Sequence, residues 1–357
     1  MKRAAIIISP NYEDHARKYW KDCLESLRRQ DWPGEKRIFI TDNQSTEESY
    51  SFLKETSPEA EILRNIENRG FAGGNNDAMR LALAEGYDYL ILFNMDTVVE
   101  TGCVRHLVEV AQSDSAIGAV QARLMLWPQT NKINSLGNVT HFLGFGYCEG
   151  YGEDWFDQTP CAMRDIAYAS GAAVLYKREV LERVGIFDEE FRMYNEDQDL
   201  GWRIWLARWR CVLAPRAVAY HKYDFSRYPG RYYWLDRNRM LAMIKNYESS
   251  TLALIAPAFL VMELGLLLFA FQRGWLGDKL KVYGYFLNRQ NRQYLMNARR
   301  ETQSLRRVKD KEIIGNFSGG IWYDEVGDWK LHWINRVMSA YWRAIKSILN
   351  VRNGAVA

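Results

Sequence analysis

The chain reads as an α/β protein: a mostly parallel sheet flanked by helices, with a helical C-terminal extension. Three observations predict this. Tyr89–Phe93 is a charge-free apolar run that stops at Asn94, Met95 and Asp96, the pattern of a strand buried on both faces in a parallel sheet. Upstream of it, short apolar runs alternate with helical segments across brief connections, which builds right-handed strand–helix–strand units. After Asn246 the composition changes to apolar and basic stretches, with an apolar stripe at helical spacing near the end.

In order, Ala4–Ser9 is a buried strand, and His15–Arg29 an amphipathic helix with Tyr19, Cys23, Leu24 and Leu27 on one face. Arg37–Thr41 is the second strand and ends in Asp42, Asn43, Gln44 and Ser45. A charged helix follows, then a short strand Ala60–Arg64. The glycine-rich stretch Asn68–Asn76 reads as a turn that opens a helix over Asp77–Glu85, which Gly86 caps. Ile117–Leu124 is a strand. Trp127–Gln158, rich in Gly, Asn, Trp and Tyr, is an irregular excursion. Tyr168–Tyr176 is a strand that begins with small residues, leaving room for an acceptor. Arg178–Val184 is a helix. Glu196, Asp197 and Asp199 open a further helix carrying Leu200, Ile204, Leu206 and Ala207. Cys211–Pro215 is a strand, and Val218–Tyr220 runs into His221.

Composition bounds the function. The 357 residues, 48% of them hydrophobic, are enough for a sizeable core, and a net charge of +3 speaks against a nucleic-acid binder. Aromatic content is 14%, which suits sugar-binding clefts, membrane interfaces or a bulky core. The five cysteines are scattered, with no Cys-x-x-Cys pair, against a disulfide framework or structural zinc and for a reducing compartment. Ala4–Ile8 is too short for a signal peptide, so a cytoplasmic protein is expected.

Chemistry concentrates at strand ends, where open α/β sheets bind ligands. Asp42 and Asp96 both project at one sheet edge. Asp96 is a hard oxygen donor for a phosphate-holding metal, or the start of a turn. The glycines let backbone approach a ligand at a helix N-terminus, or simply make a tight turn; neither the Rossmann nor the Walker spacing is present. The acids at 196–199 are helix caps, or include a general base that the helix N-terminus keeps ionised. His221 is a structural histidine or a metal ligand.

In this order and spacing, Asp42-Asn43-Gln44-Ser45, Asn68 to Asn76, Asn94-Met95-Asp96, Asn195 to Leu200 and His221 resemble the inverting family 2 glycosyltransferases of GT-A fold, and most closely their rhamnosyltransferase-like branch. The resemblance covers about residues 4–245. It implies a Rossmann-like mixed sheet, mostly parallel, that moves a sugar from a nucleotide diphosphate to a hydroxyl. Asp42 would contact the nucleobase, with Ser9, Pro10 and Asn11 lining its pocket. Asn68, Gly70, Gly73 and Asn75 would line the donor pocket. Asn94-Met95-Asp96 stands for the family's Asp-x-Asp, with Asn94 replacing its first acid. Asp96 and His221 would hold Mn2+ or Mg2+, Asp197 would be the base, and Gly171, Glu196 and Trp202 would lie by the acceptor. An Asp at position 42 accepts well from an imide N–H, so a UDP- or dTDP-linked donor is expected, with rhamnose following the branch.

The expected division is a catalytic domain over 1–245 (donor half 1–100, acceptor half 101–245) and a helical region over 246–357. Thr251–Phe271 has the length of a membrane span but contains Glu263 and Pro257, which favours a buried or membrane-surface helix hairpin. Arg289–Lys311 is strongly basic, a solvated face or a match for anionic lipid. Leu331, Ile334, Met338, Tyr341, Ile345 and Ile348 form a stripe with Trp333, Trp342, Arg336, Arg343 and Lys346 beside it. That pattern is either an interfacial helix or a helix packed on protein, including a second subunit. A glycan or lipid-linked glycan acceptor, in O-antigen or capsule assembly at the inner face of the cell membrane, is what the resemblance adds. A nucleotidyltransferase and an inactive nucleotide-sugar-binding homologue are the rival readings; no Arg/Lys-containing phosphate loop follows the first strand.

Overall fold

The structure is a computed structural model that describes residues 2–156, 162–222, 230–321 and 329–351. Its elements are β1 (Arg3–Glu13), α1 (His15–Arg28), β2 (Glu35–Ser45), α2 (Glu47–Thr56), β3 (Glu61–Asn65), α3 (Gly70–Ala84), β4 (Tyr89–Phe93), β5 (Thr97–Val99), α4 (Cys103–Ser113), β6 (Ile117–Leu126), β7 (Ile133–Ser135), β8 (Asn138–Thr140), β9 (Gly146–Cys148), β10 (Arg164–Asp165), β11 (Ala173–Lys177), α5 (Arg178–Val184), α6 (Glu196–Leu206) and β12 (Arg210–His221). The helices α7 (Arg231–Asn246), α8 (Ser249–Arg273), α9 (Leu276–Leu287), α10 (Arg289–Leu305), α11 (Asp310–Ile313) and α12 (Trp329–Ile348) follow.

The chain separates into two compact units. The first comprises 1–138, 148–204 and 209–225, and the second comprises 139–147, 205–208 and 226–357. The first is built on one sheet of order β10-β12-β6-β11-β4-β1-β2-β3, with β5 beside β12 and β7 beside β6. The expected mixed, mostly parallel sheet is present: β1 to β4 pair in parallel, as do β6 and β12. β11, however, runs antiparallel between β4 and β6, so the sheet is mixed.

The apolar runs at β1 and β4 lie at its centre. Ala4–Ile8 and Tyr89–Phe93 are fully buried, and each large aliphatic side chain buried there contributes about 1.5–3 kcal/mol.

Several boundaries differ from the sequence reading for local reasons. The glycine-rich stretch is helical from Gly70 onward, not a turn preceding Asp77. A Cβ at position 74 would stand 2.4 Å from Pro10 Cγ, so that glycine lets α3 press onto the end of β1. The strand expected from Tyr168 begins only at Ala173. The excursion after Trp127 holds three short strands, β7 to β9. The two strands expected on either side of Pro215 are one, β12, whose register slips between Ala214 and Val218, where a proline is tolerated.

In the second unit the expected hairpin within 251–271 is instead one 25-residue helix that runs through Pro257. α12 is a packed helix. Met338, Trp342 and Ile345 are buried, and Trp342 stacks on Phe142 at 4.9 Å. Leu331 and the tail 352–357 fall outside the described side chains.

Candidate active site

The C-terminal ends of β1, β2 and β4 bring the first group of candidates together. β1 and β2 place Asn11 beside Asp42 in register. Asn11 Nδ2 donates to Asp42 Oδ1 at 2.8 Å, and Ser45 Oγ donates to the same oxygen. Asp42 Oδ2 is buried without a hydrogen bond and has Arg64 Nε at 3.6 Å. Ser9 Oγ accepts from Met95 N at 2.9 Å, which fixes the turn after β4.

At that turn Asp96 meets the end of β12. Thr97 pairs with His221 across β5 and β12, and Lys222 N donates to Asp96 O at 2.9 Å. Asp96 Oδ1 and His221 Nε2 stand 3.2 Å apart, both largely buried. His221 Nδ1 faces Asn134 Oδ1 at 3.0 Å. In the neutral ring that contact takes the Nδ1 proton and leaves the Nε2 lone pair towards Asp96. A lone pair and a carboxylate oxygen at this distance need a proton or a cation between them. Asn94 Nδ2 lies 3.4 Å from the same Nε2, and Asn94 Oδ1 is buried without a partner; turning the amide over would present that oxygen instead.

These groups fit a divalent metal of the Mg2+ or Mn2+ type. Such an ion is content with one or two protein ligands and fills its shell with water and phosphate oxygens. Among the described residues, no three His, Cys, Asp or Glu side chains converge as a complete cage.

The base candidate sits alongside. Asn94 N donates to Ala172 O at 2.9 Å, and the neighbouring Gly171 N donates to Asp197 Oδ2 at 3.3 Å. Gln198 N donates to Asp197 Oδ1 at 2.8 Å. Sequence reasoning expects the start of α6 to hold this acid ionised; burial works the other way and prevails. Burial raises the Asp197 carboxyl from 3.8 to about 6, against the backbone donors that lower it. Glu196, 6% exposed and with Oε2 unpartnered, is held well above the usual carboxylate range, first by burial and then by the charge of Asp197. Asp197 keeps part of its surface open to solvent, in keeping with its smaller rise. The two therefore behave as a coupled pair in which Glu196 keeps the proton and Asp197 gives it up first.

The remaining candidates are placed differently. Asp199 is structural: it pairs with buried Arg203 at 2.9 Å, whose other nitrogens reach the carbonyls of Val184 and Ile186. Trp202 is 2% exposed, so it presents no face to an acceptor; its position one turn into α6 turns it into the protein. Asn68 is exposed, and its Oδ1 accepts from Asn43 Nδ2 at the end of β2 and from Gly70 N in its own turn. Asn75 is buried, with Nδ2 on Phe71 O and Oδ1 unpartnered. Gly70 has φ +71° and abuts Arg192, and a Cβ on Gly73 would meet Arg69.

Sequence reasoning missed Asn134, which orients His221, and Gln121, whose Oε1 accepts from Ser170 N at 2.8 Å and steadies the loop before β11. It also missed Glu189, which binds Arg69, Arg80 and Asn76 and so ties the segment before α6 to α3. None carries a motif. Three non-glycine residues before α6, Arg192, Tyr194 and Asn195, have φ of 58°, 67° and 64°, a conformation that persists only where its surroundings hold it.

The profile described as Glycosyl transferase family 2 matches residues 6–185, half of the chain. The chain belongs to glycosyl transferase family 2. Asp42, Asn94, Asp96 and Gly171 lie inside the matched span, whereas Asp197 and His221 lie beyond it. An N-acetylglucosaminyl-diphospho-decaprenol L-rhamnosyltransferase of Mycobacterium tuberculosis is 26% identical over 206 residues, covering 52% of this chain and 66% of that protein. A poly-beta-1,6-N-acetyl-D-glucosamine synthase of Staphylococcus epidermidis is 24% identical over 209 residues, covering 56% and 46%. The matches thus span between about half and two thirds of these relatives. S. aureus TarS 1-349 superposes with a TM-score of 0.51 at 17% identity, over 85% of this chain and 89% of that one. GalNAc-T7, solved with UDP, GalNAc and Mn2+, gives 0.54 at 12%, over 70% and 49%. The fold of this family 2 member is GT-A.

Proposed function

We propose that the chain is an inverting glycosyltransferase that moves a sugar from a dTDP- or UDP-linked donor to a hydroxyl of a lipid-linked glycan in cell-surface polysaccharide synthesis. The observation that carries this is the adjacency of three groups. The Asp96–His221 pair, the Asn94–Ala172 bond and the Gly171–Asp197 bond form one continuous edge, with a diphosphate site at one end and a base at the other.

Asp42 supports a uracil or thymine base. Asn11 and Ser45 occupy Oδ1, which leaves Oδ2 for one imide N–H. Guanine, with two adjacent donors, asks for both oxygens. Asp96 and His221, with Asn94, would hold a divalent metal, which when bound neutralises charge on the leaving diphosphate.

Asp197 accepts the proton of the acceptor hydroxyl as its oxygen bonds to the anomeric carbon. The bond from that carbon to the diphosphate breaks in the same displacement, so configuration inverts. A carboxyl near 6 is a stronger base than an ordinary aspartate and is still ionised at pH 7. Glu196, neutral, is left as a hydrogen-bond donor on the acceptor side. A rhamnosyl donor and a polyprenyl-diphosphate-linked acceptor follow the mycobacterial relative, and the staphylococcal one favours N-acetylglucosamine. The reading places the enzyme on the inner face of the cell membrane.

The test offers dTDP-rhamnose and UDP-N-acetylglucosamine with a lipid-linked or short-chain glycan acceptor, and follows nucleoside diphosphate release and the anomeric configuration of the product. An inverted product with either donor supports the reading. A retained configuration, or hydrolysis without transfer, contradicts it.

A further inference from the structure

The second unit carries an apolar surface that its own helices leave uncovered. On α8, Leu260, Val261, Leu264, Leu268 and Phe271 are 59–70% exposed. Leu264, Leu267, Leu268 and Phe271, with Leu276 and Leu280 at the start of α9, line an open cleft of about 460 Å3. A soluble protein rarely leaves so continuous a patch to water.

The buried side of α8, with Thr251, Ile255, Ala258 and Ala270, carries one charge. Glu263, its only acid, accepts from Lys279 Nζ at 2.7 Å, from Tyr283 Oη at 3.0 Å and from Arg239. Asp236 of α7 accepts from the same two cations, at 2.7 and 2.6 Å. Two acids and two bases sum to zero charge, and all four are buried.

These two faces settle how α8 can use its length. The 25 residues, which include an 18-residue stretch of mean hydropathy 2.4, make about 37 Å of helix, enough to cross a hydrocarbon core of about 30 Å. A crossing α8 would either carry the four-charge cluster and the Arg- and Lys-bearing α7 into the bilayer or break the cluster and strand its charges. The apolar face alone can enter lipid without either cost.

We propose that α8 and the start of α9 lie in the plane of an anionic bilayer, with Leu260–Phe271 in the headgroup–acyl boundary and the Glu263 cluster on the protein side. Charge selects lipid over a second copy of the chain. Arg273 and Lys281, the latter paired with Asp278 at 3.0 Å, flank the patch in sequence, and Arg289 and Arg292 follow on α10; all four are exposed, so two-fold self-pairing would bring an excess of like charge together, whereas anionic headgroups supply the counter-charge. Trp275, stacked on Tyr232 at 4.9 Å at the turn between α8 and α9, suits the same boundary. This deepens the membrane-surface reading above and is independent of the catalytic one.

The test floats the full chain with vesicles of phosphatidylcholine alone or mixed equally with phosphatidylglycerol, beside Leu264→Glu/Leu268→Glu, whose changes fall on exposed positions. Circular dichroism confirms that the variant folds. The expected result is binding to the mixed vesicles that salt weakens, and at least a tenfold loss in the variant. Depth comes from an environment-sensitive fluorophore on a cysteine introduced at Leu260 or at Phe271, read as the difference from protein lacking that cysteine. The two sites are about 16 Å apart along the helix; equal depth supports the in-plane placement, and a depth difference of that size means a crossing helix and overturns it. A wild-type chain that ignores vesicles but forms a dimer broken by the variant makes the patch a self-interface, and also overturns it. Failure of glycosyl transfer with vesicle binding intact would instead overturn the catalytic reading alone.

Discussion

Replacing Asp197 by Asn should make the protein more stable and inactive at once. In the folded chain the carboxyl is raised from 3.8 to about 6, first by burial. A raised acid pKa means that the folded state favours the proton. The penalty for ionising it therefore appears as pH rises through the window from about 4 to about 6, and is complete above it. At 1.36 kcal/mol per pKa unit the full penalty is at most about 3 kcal/mol. Solvent screening at a half-buried carboxylate lowers it to about 1–2 kcal/mol. Asn removes the charge and keeps the Gln198 N–H bond through its Oδ1, losing only the longer Gly171 N–H bond at 3.3 Å. At pH 7.5 the variant should melt about 2–8 °C higher than wild type. The gain should shrink to about half at pH 5 and vanish below about pH 4. Thermal unfolding by circular dichroism across this pH range, beside a transfer assay, reads both effects. A variant no more stable than wild type at pH 7.5, or one with near wild-type turnover, would refute the assignment of Asp197 as a buried base.

Three other outcomes follow from the same geometry. Wild-type kcat/KM should fall about tenfold per pH unit below about pH 6 as Asp197 takes its proton, and a flat profile down to pH 5 would remove it from the proton transfer. Glu196→Gln, which mimics the neutral form that burial favours, should keep turnover within a few fold at pH 7.5; a loss of a hundredfold would make Glu196 the base. Asp96→Ala should abolish metal-dependent nucleotide binding and Asn134→Ala should weaken it about 10-fold by releasing the His221 ring, whereas Asp199→Asn should cost about 3–5 kcal/mol of stability by stranding buried Arg203 and leave nucleotide affinity of the folded protein unchanged. Calorimetric titration and urea unfolding separate these last cases.

The sheet was legible because its central strands are apolar without interruption: Ala4–Ile8 and Tyr89–Phe93 announce burial on both faces. Asp96 was legible for the same reason, since it closes a run that otherwise carries no charge, and Asp42 likewise follows the uncharged Ile38–Thr41. The direction of β11 was not legible, because an apolar strand between two neighbours looks the same either way round. The helical start of α3 was hidden by glycines, which signal turns locally but here permit contact with Pro10. Burial decides the rise at Asp197 and the enclosure of Trp202, and burial at a helix start depends on what packs over it. Asn134 reaches the site from a distant segment through one hydrogen bond, and Glu189 binds Arg69, Asn76 and Arg80 more than a hundred positions away, contacts that leave no spacing to read. In α8, one glutamate in 25 residues reads as a defect in a span, whereas its partners Arg239 and Lys279 lie 24 and 16 positions away.

The most direct test of the central proposal is calorimetric titration of dTDP, UDP and GDP, each with and without Mn2+. The account predicts that dTDP or UDP binds, that binding needs the metal, and that GDP binds at least tenfold more weakly because only one oxygen of Asp42 lacks a hydrogen bond. Metal-independent binding, or a preference for GDP, would contradict the roles given to Asp96, His221 and Asp42.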